Sequence, residues 1–219
     1  MNVGHVENIT NERDYIHAQT RAVCIPPHSF HRSSTAVMTH TEAGVSLELI
    51  QGNIVKQDDM DAIVNAANAQ LRTGGGVAGA IHSAAGPDLT KETQPLAPIQ
   101  PGEAVTTGAH ALPNEHVIHV LGPVYGRDEP SDELLRTGYE NALREAETHK
   151  IRSIAFPALS TGAFGYPMDE AARIALQTML DWAPRLNSVA LIRFVLFSNS
   201  DLEIHEQALS ALLEETDAA

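Results

Sequence analysis

Residues 61–79 read Asp61-Ala62-Ile63-Val64-Asn65-Ala66-Ala67-Asn68-Ala69-Gln70-Leu71-Arg72-Thr73-Gly74-Gly75-Gly76-Val77-Ala78-Gly79. The first part, 61–67, is a short apolar run typical of a buried strand. Small apolar residues from 77 to 85 follow the glycines and predict a closely packed helix. Strand, glycine loop and helix in that order have a chemical consequence. Glycine lets the backbone approach a ligand and adopt positive φ. The helix start behind the loop offers unpaired N–H groups and a positive dipole end, worth up to ~2 kcal/mol per charge when partly buried.

The same order recurs later. A strand over 153–158 leads into Ser160-Thr161-Gly162-Ala163-Phe164-Gly165, and a mostly buried helix is expected over 168–182, with Pro167 suited to its first turn. Either loop alone reads equally well as a plain turn. Two in matching contexts at one sheet edge can clasp a diphosphate from both sides. Gly74, Gly76 and Gly79 also spell G-x-G-x-x-G, which raises a Rossmann dinucleotide site as a second reading. Against it, the polar stretch 68–72 separates strand from glycines, and a proline-containing segment stands near 95 where an acidic strand end is required. No Gly-Lys-Ser/Thr follows either loop, which excludes a P-loop.

Outward from these loops, strands are expected over 46–51, 104–110, 116–121 and 189–197, and helices over 131–150 and 201–214. Pro113-Asn114 marks the turn between the two middle strands, and Ser200 with Glu203 fits a capping box for the last helix. Strands alternating with helices define an α/β protein with a mostly parallel sheet covered on both faces. Ligands of such sheets sit outside the carboxyl ends of the strands.

Composition bounds the rest. The 219 residues are 43% hydrophobic, enough for a sizeable core, and contain no apolar run near membrane-spanning length. The formal charge of −14 argues against non-specific nucleic-acid binding, which needs clustered Lys and Arg. A small anion held by backbone N–H groups is compatible with it. Cys24 is the only cysteine, so no internal disulfide forms and a cytoplasmic setting is expected. Residues 1–44 hold five of the eleven histidines and lack periodicity; they read as a poorly ordered extension, with the domain at 45–215 and a short tail at 216–219. Met38 is an alternative start. His28 and His31 are weak metal candidates, and no Cys/His cluster supports a metal elsewhere.

The motifs at 61–68 and 74–77, with Val117-Ile118-His119-Val120-Leu121-Gly122-Pro123 and Ser153-Ile154-Ala155-Phe156-Pro157-Ala158-Leu159-Ser160-Thr161-Gly162, resemble the macro domain over roughly 45–213. The resemblance implies a three-layer αβα fold with a mixed, mostly parallel sheet that binds ADP-ribose. It further implies an ADP-ribosyl-ester hydrolase, acting on ADP-ribosylated acidic side chains of proteins or on O-acetyl-ADP-ribose, as a monomer and with no cofactor. Asn53 would replace the family's aspartate at the adenine amino group, Ile54 would flank the base, and Phe197 would stack on it. Asn68 would contact the distal ribose. Gly74, Gly75, Gly76 and Val77 would form one phosphate loop, and Ser160, Thr161, Gly162, Ala163 and Phe164 the other.

One position departs from the MacroD-like pattern. Those hydrolases carry Asp two residues after the last glycine, proposed to position the attacking water; here the residue is Ala78. Losing a general base costs about 10²–10⁴-fold in rate. Catalysis would then rest on Asn68, which orients the ribose, and on N–H groups such as that of Gly76. Asp58, Asp59 and Asp61 are expected at the far end of the strand. His82 reads as a helix-packing histidine, with a catalytic role as its alternative, His119 reads as a satisfied core histidine, and Asn65 as a residue bonding neighbouring backbone. A non-catalytic ADP-ribose reader and a Rossmann-type oxidoreductase are the alternatives.

Overall fold

The structure is a computed structural model that describes residues 38–218. Seven strands form one sheet: β1 (Met38–Glu42), β2 (Val45–Gln51), β3 (Ala62–Ala66), β4 (Ala104–Gly108), β5 (His116–Val120), β6 (Ser153–Phe156) and β7 (Leu191–Leu196). Their order is β1-β2-β7-β6-β3-β5-β4. β2, β7, β6, β3 and β5 run parallel, while β1 and β4 pair antiparallel at the edges. This is the expected mixed sheet, and its order differs from the 3-2-1-4-5-6 order of a Rossmann sheet.

Five helices cover it: α1 (Gly76–Ala85), α2 (Pro87–Thr93), α3 (Ser131–Thr148), α4 (Met168–Trp182) and α5 (Asn199–Asp217). The strand pleat divides the core. Val64, Ile118, Phe156 and Phe194 pack with Leu143 of α3, Leu176 of α4 and Leu209 of α5. Ile63, Val117, Ala155 and Val195 face the other way, onto Ile81 of α1 and Leu89 of α2. The result is three layers, αβα.

Several expectations change. A strand lies ahead of 45: β1 pairs with β2 through a turn at Ala43 and Gly44, both with positive φ. The capping box of α5 uses Ser198 and Asp201, not Ser200 and Glu203, because β7 ends at Leu196 and the helix starts at Asn199. α2 also lies between the first glycine loop and the prolines near 95. His28, His31 and Cys24 lie outside the described residues.

Charge enters the sheet at Arg193 of β7, whose side chain is 7% exposed. Its guanidinium donates to Glu48 Oε2 at 2.8 Å, Gln57 Oε1 at 3.0 Å and both Asp59 oxygens at 2.8 and 2.9 Å. These carboxylates raise its pKa against the burial that opposes its charge. Gln57 Nε2 in turn donates to the carbonyl of Asn53, so the network braces the turn after β2. Removing one member of a buried ion pair leaves uncompensated charge and costs about 3–5 kcal/mol. Arg193→Ala is therefore expected to lower unfolding free energy by that amount in urea denaturation. A loss below about 1 kcal/mol would show that the network behaves as a surface pair.

Candidate ligand site

The carboxyl edge of the five parallel strands brings the predicted site residues to one side of the molecule. Gly52 N donates to Leu196 O at 2.9 Å, which sets the turn after β2 beside the end of β7. Asn53 and Phe197 project from these neighbouring ends. Phe197 is 90% exposed, so it is a free aromatic face and not part of the core. Asn53 opens a 3-10 turn, Ile54–Lys56, and its Oδ1 accepts from Val55 N at 3.1 Å. Ile54 is buried beneath that turn.

Next along the edge lies a cavity of about 320 Å³ between the ends of β6 and β3. Asn68, Gly74, Gly75, Gly76, Val77 and Ala78 line one wall, and Ser160, Gly162, Ala163 and Phe164 the other. Asn53, Ile54, Thr161 and Phe197 lie outside it. Thr161 is a brace: its hydroxyl donates back to Ala158 O at 3.0 Å.

The first loop ends as α1 begins. Gly75 is the N-cap, with no side-chain cap and no acidic residue in the first turn. Among the described residues, no capping side chain and no first-turn carboxylate offsets the positive end of the helix. The N–H groups of Gly74, Gly75, Gly76, Val77 and Ala78 find no acceptor among the described residues. Gly79 closes the loop; a Cβ there would collide with the Gly74 carbonyl oxygen.

The second loop works differently from the expectation. Tyr166 and Pro167 separate it from α4, whose first turn already carries Asp169 and Glu170. It owes little to a helix dipole. Its donor surface is the backbone itself: the N–H groups of Ser160 through Phe164 also find no acceptor among the described residues. Bonds from Gly165 N to Gly162 O and from Tyr166 N to Ser160 O, both 3.0 Å, hold the curl. Tyr139 Oη accepts from Leu159 N at 3.1 Å and fixes where it starts. Ser160 has φ of 65° and a buried hydroxyl without a protein partner. That hydroxyl lies against Gly122, where a Cβ would overlap it. Gly122 thus completes the wall, a role the sequence motif contains but does not reveal.

Asn68 is clamped to Arg72: Oδ1 accepts from Arg72 N at 3.2 Å and Nδ2 donates to Arg72 O at 2.6 Å. One amide hydrogen and one lone pair remain for a ligand. Ala78 presents only a methyl to the cavity. Asp59 and Asp61 sit elsewhere, on Arg193 and on Arg152 N at 2.9 Å, as their position before β3 requires.

The buried histidines do not join the site. Asn65 bonds a side chain, not backbone: its Nδ2 donates to His119 Nδ1 at 3.0 Å. That leaves His119 Nε2 to donate to Thr107 Oγ1 at 2.9 Å, and Thr107 to donate to Gly108 O at 3.1 Å. Burial first, and nearby His82 second, push His119 down to about 3, so it stays neutral at physiological pH. His82 turns to Thr90 Oγ1 of α2 at 3.2 Å, and burial lowers its pKa too.

The family model for the macro domain matches residues 64–175. A macro domain-containing protein of Caldanaerobacter subterraneus is 44% identical, the alignment covering 76% of this chain and 97% of that protein. An O-acetyl-ADP-ribose deacetylase of Klebsiella pneumoniae is 43% identical over 76% and 98% of the two chains. Among solved structures, the Oceanobacillus iheyensis macrodomain with ADP superposes with a TM-score of 0.78 at 41% identity, covering 81% of this chain and 97% of that one. The Trypanosoma brucei macrodomain in complex with ADP-ribose gives 0.69 at 36% identity, over 74% and 68%. The chain belongs to the macro domain family.

The contact between Ser160 and Gly122 can be tested alone. Gly122→Ala is expected to lower Tm by several degrees, roughly the effect of 1–3 kcal/mol of overpacking. Adding Ser160→Gly, which also suits the positive φ, should recover most of it. A double variant no more stable than Gly122→Ala would show that the two residues are not in contact.

Proposed function

We propose that this protein binds ADP-ribose along the carboxyl edge and hydrolyses ADP-ribose esters of carboxylic acids. One observation carries the reading: two rows of backbone N–H groups, unpaired among the described residues, face each other across a single cavity. Preorganised donors of that kind fit the two phosphates of a nucleoside diphosphate and need no basic side chain. The adenine lies towards β2 and β7, against Phe197 and the turn at Asn53, and the distal ribose lies towards β3, between Asn68 and Phe164. The ADP and ADP-ribose complexes of the bacterial and trypanosomal relatives support this choice of ligand.

The relatives named as O-acetyl-ADP-ribose deacetylases support the hydrolytic step. With a glutamate-linked substrate, water held between the diphosphate and the distal ribose attacks the anomeric carbon that bears the ester. Its oxygen forms the new C–O bond, the old bond breaks, and the carboxylate leaves with the electron pair. The water proton passes to a phosphate oxygen of the substrate, since Ala78 supplies no base. Asn68 orients the ribose, and the loop N–H groups, Gly76 among them, hold the phosphates as charge moves. A reader without turnover is the second reading, and Ala78 is the observation that favours it.

Calorimetry and single-turnover kinetics test both parts. ADP-ribose is expected to bind and NAD to bind more weakly; tight binding of NAD with no response to ADP-ribose would overturn the ligand. Excess enzyme should release ADP-ribose from a glutamate-linked conjugate, and Ala78→Asp should raise that rate by about 10²-fold or more with little change in affinity. No release over hours would leave a reader, and an unchanged rate in Ala78→Asp would contradict the account of the missing base.

A further inference from the structure

A second cavity, of about 390 Å³, continues beyond the nucleotide cavity along the same edge. The two share Gly122 and Phe164, so Phe164 is a partition between them. The second lies under the segment before β4 and the segment after β5, on the side away from Asn53 and Phe197. Resting on the ADP-ribose reading above, this places it past the distal ribose, where the acid portion of an ester substrate projects. Its size falls in the range that holds whole ligands, roughly 300–1,000 Å³. An acetyl group would leave most of it empty.

Its chemistry is mixed. Pro98, Ile99, Leu121 and Val124 supply apolar wall; Gln100 and Arg127 supply polar groups. Arg127 is 70% exposed and pairs with its neighbour: Nε and Nη2 donate to the two Asp128 oxygens at 3.1 and 3.2 Å, and Asp128 Oδ2 accepts from Val124 N at 2.8 Å. Nη1 donates to no protein group among the described residues. The pair has little net charge, so it offers hydrogen bonds more than it attracts anions.

We infer that this cavity receives the polypeptide side of the substrate, namely an acidic residue esterified to ADP-ribose together with its flanking backbone. Esterification removes the charge of the acidic side chain, so the wall can take up its methylenes without burying an ion. Arg127 and Gln100 meet the amide groups of the backbone. Hydrolysis restores a carboxylate on the peptide beside a protein of net charge −14, which favours release of the product. Arg127 and Gln100 are specificity residues, not catalytic ones.

The test compares a peptide carrying one glutamate-linked ADP-ribose, O-acetyl-ADP-ribose, and free ADP-ribose. Gln100→Trp fills the cavity from an exposed position, and Arg127→Ala removes the donor. Both are expected to lower kcat/KM for the peptide by at least about tenfold relative to O-acetyl-ADP-ribose, with Kd for ADP-ribose unchanged. Equal effects on both substrates, or none on either, would overturn the inference. If the wild type hydrolyses neither substrate, the proposed hydrolysis falls and binding decides the inference. The peptide should then bind more tightly than free ADP-ribose, and Gln100→Trp should abolish the difference. Equal binding of peptide and free ADP-ribose by the wild type would overturn it.

Discussion

Ten backbone N–H groups in two runs, from Gly74 to Ala78 and from Ser160 to Phe164, reach the carboxyl edge of the sheet without an acceptor among the described residues. A buried polar group left unsatisfied costs about 1–3 kcal/mol, so such a surface persists only where water or an anion meets it. Much of the surrounding structure keeps these groups pointed at one space. Gly79 and Gly122 remove the side chains that would push the loops apart. Tyr139, Thr161 and the curl between Ser160 and Tyr166 hold the second loop from behind.

The layers beneath supply rigidity. The chain from Asn65 through His119 to Thr107 ties β3, β5 and β4 together with neutral hydrogen bonds. Arg193 ties β2 and β7 to the segment before β3, and reaches the Asn53 turn through Gln57. Neither network touches the cavity. Both fix the relative position of strands whose ends carry it, and backbone donors act on a diphosphate only if their positions hold to within fractions of an ångström.

What the sequence disclosed was local. Strand, glycine loop and helix could be read at 61–85 because glycine, small residues and apolar runs signal their conformations over a few positions. Asn68 and the glycines of both loops were legible for that reason. Contacts distant in the chain were not. Arg193 stands 134 and 145 residues from its carboxylates, and nothing near it announces them. β1 alternates half-buried and exposed side chains at a sheet edge, so pairing with β2, not burial, makes it a strand. Ser198 and Ser200 both have an acidic residue three positions on, and only the end of β7 selects between them. The second loop looked like the first because strand, loop and helix follow in the same order, although Tyr166 and Pro167 stand between it and α4.

Ala78 separates binding from chemistry: the donors around it are backbone and survive its methyl, while a carboxylate does not stand there. The central claim concerns the donors, and backbone amide resonances report on it directly. In a titration of the ¹⁵N-labelled protein with ADP-ribose, the amides of Gly74 to Ala78 and of Ser160 to Phe164 should shift together along one saturation curve. Shifts confined to one loop, or absent from both in the folded protein, would contradict a diphosphate clasped between them.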